Sequence, residues 1–235
     1  TCQWTPSAVG ATTIKATLTP TDTANYNSSR EANLAVTVNK ADTLTVTVLS
    51  RTETFTGTAV PVTSAFTTTG LASIDSLTAI SMIFTGTAND GNAYSSTTGP
   101  TNAGTYSITP NYPANASAFT FGLGSAGTTS AITNYESVTV VAGTLTVRRA
   151  PQVMSFTFAN SNSVTYSPTA TLASTATTRL GTGTRTYSST TPVTCSISDT
   201  AVVTVLQAGS CTVNMAVALT ANYEADTATR VITIN

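Results

Sequence analysis

Cys211-Thr212-Val213-Asn214-Met215-Ala216-Val217-Ala218-Leu219 puts Cys211, Val213, Met215, Val217 and Leu219 on every second position, with Thr212, Asn214, Ala216 and Ala218 between them. Successive side chains of an extended chain leave opposite sides of the backbone, so this period of two predicts a strand with one buried and one wet face. The same alternation runs through 43–48, where Leu44, Val46 and Val48 interleave with threonines, and through Met154, Phe156, Phe158 and Ile80, Met82, Phe84. Asn89-Asp-Gly-Asn92, Gly99-Pro-Thr-Asn-Ala-Gly104 and Ala208-Gly-Ser210 separate such runs and supply the residues that turns require. Short strands at this spacing predict antiparallel β-sandwiches.

Composition agrees. Charged residues make up 8% of the 235, hydrophobic residues 40%, and the prevalence of Thr, Val, Ser and Ala suits pleated surfaces better than helices. The formal net charge of −1 offers no basic surface for nucleic acid and no polybasic strip for anionic lipid. No apolar run approaches the roughly 20 residues that span a bilayer. With Thr1 first and no targeting motif, the sequence reads as a processed segment of something longer.

The chain is written in repeats. Leu34-Ala-Val-Thr-Val-Asn-Lys-Ala41, Gly143-Thr-Leu-Thr-Val-Arg-Arg-Ala150 and Val231-Ile-Thr-Ile-Asn235 each read as a last strand meeting a joint, and Thr23-Ala-Asn-Tyr26 and Thr220-Ala-Asn-Tyr223 precede the first and third of these. The marks divide the chain into a partial unit, 1–41, and two fuller units, 42–149 and 150–235. The first is too short to bury a sandwich core by itself. It reads as the C-terminal half of a domain, and without the opening strands Ile14, Leu18, Leu34 and Val36 lose their cover.

At these residues the sequence resembles two kinds of bacterial repeat. The first and third units resemble bacterial immunoglobulin-like repeats, through Thr-Ala-Asn-Tyr, Tyr187-Ser-Ser-Thr-Thr-Pro-Val-Thr-Cys195 and Ala208-Gly-Ser-Cys-Thr-Val213; the second resembles MBG-type repeats of large surface adhesins, through Thr69-Gly-Leu71, Gly99-Pro-Thr-Asn-Ala-Gly-Thr-Tyr106 and 134–147. The resemblance implies an all-β fold of tandem immunoglobulin-like sandwiches strung like beads, and mostly spacer roles with no shared active site. The long Ala-, Gly- and Ser-rich stretch from Asn111 to Asn134 reads as a loop insertion.

Cys195 and Cys211 share the alternation of Val193, Ile197, Val213 and Met215, which turns both thiols toward the core. Outside the cell a disulfide between them is expected; the alternative is a pair of buried free thiols in a reducing compartment. Cys2 then pairs upstream or cross-links chains.

Catalysis fails on inventory. With no His there is no usual general base and no Ser-His or Cys-His pair. Lys15 and Lys40 both lie in the first unit, which also removes Lys-to-Asn isopeptide bonds from the other two; a Thr-to-Gln ester at Gln152 or Gln207 stays open. Asp22, Asp42, Asp75, Asp90, Asp199 and Asp226 fall singly in turns or joints. Asn89–Asn92 could lend oxygens to calcium, yet lacks the several carboxylates that ion wants, and reads as a turn. Gly122-Leu-Gly-Ser-Ala-Gly127 has no lysine and reads as loop. No cofactor is expected.

Tyr26 and Tyr223, before the last strands, are candidates for a structural corner, ring in the core and hydroxyl on nearby backbone. Trp4, Tyr94, Tyr106 and Tyr112 are candidates for an exposed sugar-stacking surface. The leading expectation is a non-catalytic spacer in an extracellular bacterial surface protein, partnered by neighbouring repeats or by neighbouring copies in a fibre that complete the first unit. Its rivals are a glycan- or host-protein-binding module and an accessory domain of a secreted polysaccharide-degrading enzyme.

Overall fold

The computed structural model describes residues 3–6, 9–26, 29–62, 65–72, 75–77, 82–110, 121–123, 129–130, 134–168 and 170–235. Among them the regular structure is β, broken only by short turns of 3-10 type. Two strands come first, β1 (Gly10–Leu18) and β2 (Arg30–Val38). The second repeat supplies β3 (Leu44–Val48), β4 (Arg51–Thr54), β5 (Phe66–Thr69), β6 (Asp75–Leu77), β7 (Met82–Ala88), β8 (Ala93–Ser96), β9 (Gly104–Pro110), β10 (Phe121–Leu123), β11 (Thr129–Ser130), β12 (Val138–Val141) and β13 (Gly143–Arg148). The third supplies β14 (Ser155–Phe158), β15 (Ser163–Val164), β16 (Thr171–Thr178), β17 (Arg185–Ser189), β18 (Cys195–Ile197), β19 (Val202–Val205), β20 (Gly209–Val217) and β21 (Asp226–Ile234).

Two compact units result, one of Thr1–Ser50, Val62–Ile83 and Ile108–Gly143, the other of Arg51–Pro61, Phe84–Ser107 and Thr144–Asn235. The first unit holds the hairpin β1-β2, the sheet β12-β3-β5 and the small sheet β11-β10-β6. Leu44, Val46 and Tyr135 are its buried cluster, with Phe66, Leu71, Val138 and Val140 packed against them. Two short strands, β10 and β11, therefore stand in the stretch expected to be loop: β6 offers an edge, and Phe121–Leu123 pairs with it antiparallel.

In the second unit the third repeat is a sandwich of two four-stranded sheets, β14-β16-β19-β18 and β15-β21-β20-β17. Phe156, Phe158, Leu172, Val203 and Val205 from one sheet meet Val213, Met215, Val217, Ile232 and Ile234 from the other. Each such side chain, fully buried, contributes about 1.5–3 kcal/mol. The alternation that announced β20 stops one pair early: the strand ends at Val217, the chain turns at Thr220, and Leu219 is half exposed. Val193 is 73% exposed because it lies in the turn Thr191–Thr194, closed by the Thr194 N–H on the Thr191 carbonyl, before β18 begins.

The sheets are not purely antiparallel. Parallel pairs join β12 to β3 from Val138↔Leu44, β13 to β4 from Leu145↔Arg51, and β15 to β21 at Val164↔Ile234. β3 and β4 are separated by two residues yet belong to different sheets, as do β12 and β13.

Candidate functional site

The Asn-Tyr-Glu sequence occurs at 134–136 and again at 222–224, and both copies grip an alanine at a repeat boundary. In the first unit the Ala41 N–H donates to the Asn134 carbonyl and the Glu136 N–H to the Ala41 carbonyl, each at 2.8 Å. In the second unit Ala150 does the same with Asn222 and Glu224, each at 2.9 Å. Both are parallel bridges, Ala41↔Tyr135 and Ala150↔Tyr223. An alanine at a repeat's opening, Ala150, or immediately before it, Ala41, is thus tied to the loop that precedes that repeat's last strands. The signal available in the sequence is the repeated Asn-Tyr-Glu, which marks both loops but does not name Ala41 and Ala150 as their partners.

Around the Ala150 bridge, side chains extend the tie into the neighbouring hairpins. Asn222 Oδ1 accepts the Ala103 N–H at 2.8 Å, and its Nδ2 donates to Asn102 Oδ1 at 3.2 Å. Asn89 Nδ2 donates to the Ala221 carbonyl at 3.1 Å, and Arg149 Nε to the Thr220 carbonyl at 2.8 Å. The Tyr223 ring meets Phe55 edge-on with centroids 5.4 Å apart. Gly181 also lies against the ring, and a Cβ there would stand 2.6 Å from it. Glycine there serves both the left-handed backbone (φ +66) and the close ring.

Asp90 braces this network from behind. Its Oδ1 accepts the Asn92 N–H at 3.0 Å and its Oδ2 the Asn102 Nδ2 at 3.2 Å. The Asn92 backbone bond first, and then the Asn92 side chain, hold its carboxyl below the ordinary Asp range. Asn89–Asn92 is a hairpin turn, closed by the Ala88 N–H on the Asn92 carbonyl at 3.0 Å. Among the described residues no three His, Cys, Asp or Glu side chains gather as a metal site, and no helix is long and apolar enough to cross a membrane.

Cys195 and Cys211 are fully buried and joined by a disulfide with Cα atoms 5.7 Å apart. They sit on β18 and β20, which belong to opposite sheets, so the bond passes through the core and staples the sandwich. Cys2, Tyr112 and most of the Gly122–Gly127 stretch lie outside the described residues. Gln207 is exposed; Gln152 is buried with neither amide atom hydrogen-bonded, and no threonine hydroxyl bonds to it.

Of the two corner candidates, Tyr26 is 64% exposed, and Tyr223 is half-buried at the joint, against Phe55 and Gly181. The corner geometry belongs to Tyr106, which is 1% exposed and donates from its hydroxyl to the Asn102 carbonyl four residues upstream at 2.8 Å. Burial, and then the charge of Asp90, push its phenol above the usual range. Tyr94 packs edge-on against it at 5.6 Å. Tyr106 is therefore no part of a sugar-stacking surface, whereas Trp4, at 45% exposure, is accessible.

No family model matches the chain, and no curated protein does. Among solved structures, a SusE-like surface-located polysaccharide-binding protein from the Bacteroides thetaiotaomicron heparin utilisation locus is similar over 81% of this chain, at 10% identity and a TM-score of 0.31. The chain spans 33% of that protein's length.

Proposed function

We propose that this chain is a non-catalytic structural segment of an extracellular bacterial surface protein, in which immunoglobulin-like and MBG-type repeats act as spacers joined by specific, hydrogen-bonded boundaries. One observation carries the reading: the boundary at Ala150 is not a free linker. Backbone bridge, Asn222–Asn102 and Asn222–Ala103 bonds and the Phe55–Tyr223 contact converge on it. A tether needs none of these, whereas a spacer that transmits orientation needs several at once. The core disulfide favours an oxidising compartment, hence the outside of the cell.

The test is orientation. Residual dipolar couplings of residues 84–107 and of residues 151–235 should fit one alignment tensor in the parent chain. They should separate into two when Phe55→Ala and Asn222→Ala are combined. Two tensors in the parent would end the spacer reading. The rival, a glycan-binding module, would show instead as retention on a glycan array that is lost on Trp4→Ala.

A further inference from the structure

Strands β1 and β2 match β20 and β21 position for position. Each pair is nine residues against nine. Each opens on a glycine in the same positive-φ conformation, Gly10 at +122 and Gly209 at +131. Each glycine pairs with the final residue of its partner strand, Gly10↔Val38 and Gly209↔Ile234. Each hairpin also carries Thr-Ala-Asn-Tyr in the connection. What differs is the surroundings. β20 has β17 along its free edge and β21 has β15, and their inner face is covered by the sheet that carries Phe156, Phe158, Leu172, Val203 and Val205. Among the described residues nothing pairs with the outer edges of β1 and β2, which form a sheet of two.

The face of this hairpin that corresponds to the buried face of β20-β21 is the apolar one. Ile14 stands opposite Leu34 and Thr12 opposite Val36, with Leu18 and Val38 on the same side; Leu18 is 70% and Leu34 62% exposed. The other face carries the Lys15–Glu31 ion pair at 2.6 Å among threonines, which suits water. A two-stranded ribbon with one oily face and two unpaired edges is marginal on its own.

We propose that β1-β2 is a closing hairpin that docks, by this apolar face and both edges, onto a segment carrying the opening strands of a repeat of the third repeat's kind. Such a segment would set its equivalents of β17 and β15 on the two edges and its Phe-, Leu- and Val-bearing sheet on Ile14, Leu18, Leu34, Val36 and Val38. Its first residue would meet the Asn25 carbonyl as Ala150 meets that of Asn222. The inference stands apart from the spacer reading, since a closing hairpin would serve a binding module equally well.

The test supplies such a segment from the chain's own sequence. Residues 1–9 are replaced by a second copy of residues 150–208, and Thr12→Cys places a thiol where Cys211 stands in the third repeat. The expected result is a disulfide between that thiol and Cys195 of the copy, with amide exchange in β1 and β2 slowed at least about tenfold towards that of β20-β21. Thr13→Cys, on the opposite face, should form none. Should the extended chain not fold, the Cys2→Ser, Thr12→Cys full chain is mixed with a chain ended at Ala208. A mixed disulfide at least about tenfold above the Thr13→Cys control is then expected. Equal cross-linking from both faces, or unchanged exchange in a folded extended chain, overturns the proposal. So does concentration-dependent protection of β1-β2 in the parent chain alone, which would make a second copy the occupant.

Discussion

Asn222 Nδ2 donates to Oδ1 of Asn102 at 3.2 Å, and the same Asn222 side chain accepts the N–H of Ala103, a fully buried residue, at 2.8 Å. One amide thus closes a reciprocal pair of bonds across a repeat boundary. Asn222→Ala leaves the Ala103 N–H without its acceptor and is expected to cost about 1–2 kcal/mol. Exchange at the Ala103 amide should quicken accordingly. Asn222→Asp keeps an oxygen for Ala103 but loses the donor to Asn102, so it should retain most of that protection. Equal exchange in the two variants would mean that the Ala103 bond is not what orders the loop.

The Asp90 carboxyl titrates below its unfolded value because the folded state offers its anion N–H donors, Asn92 foremost. A folded pKa below the unfolded one means that its stabilisation is fully present above the ordinary Asp range. It is lost as pH falls through the folded value. Asn102, bonded to the same carboxylate, should feel the loss. The chemical shift of its side-chain amide is therefore expected to titrate on the acid side of the ordinary Asp range in the parent and not in Asp90→Asn. A titration above that range would reverse the assigned cause.

Reduction should act on one repeat only. Cys195 and Cys211 are 16 residues apart, and closing a loop of that size restricts the unfolded chain by about 3 kcal/mol in the chain-entropy model. Urea unfolding with reductant is expected to lower the stability of 150–235 by about that amount. Met82, Phe84 and Tyr106 should hold their midpoints. Cys195→Ala with Cys211→Ala should reproduce the loss without reductant.

What the sequence revealed and what it hid follow from one distinction. Leu44, Val46, Val48, Phe156, Phe158, Val213 and Met215 could be placed inside from alternation alone, because burial in a strand is a local property of side-chain direction. The all-β class and the apolar setting of both cysteines follow from the same rule. Leu219, Val193 and Tyr106 could not be placed that way. The first two continue a pattern beyond a strand end that only turn bonds define, and Tyr106 looked like a loop aromatic beside Gly104. Which strands change sheets, and which pair in parallel, depend on the distant strand that lies alongside, which periodicity does not encode. The joint was half legible: Thr-Ala-Asn-Tyr marked its place, but its partners Asn102, Ala103 and Phe55 lie more than a hundred residues away.

Tyr106 links the second repeat's interior to that joint. Its ring is buried against Tyr94, and its hydroxyl holds the carbonyl of Asn102, whose side chain meets Asn222. Tyr106→Phe keeps the ring and deletes one hydrogen bond, so a loss of about 1 kcal/mol is expected. If the hydroxyl only fills space, that loss adds independently to the loss from Asn222→Ala. If it fixes the Asn102 backbone so that Oδ1 is presented to Asn222, removing either partner makes the other worth less, and the double variant should fall short of additivity by about 0.5 kcal/mol or more. Urea unfolding of the two single variants and the double variant measures this directly. Strict additivity would confine Tyr106 to the repeat that contains it and leave the joint to be ordered by Asp90 and the Ala150 bridge.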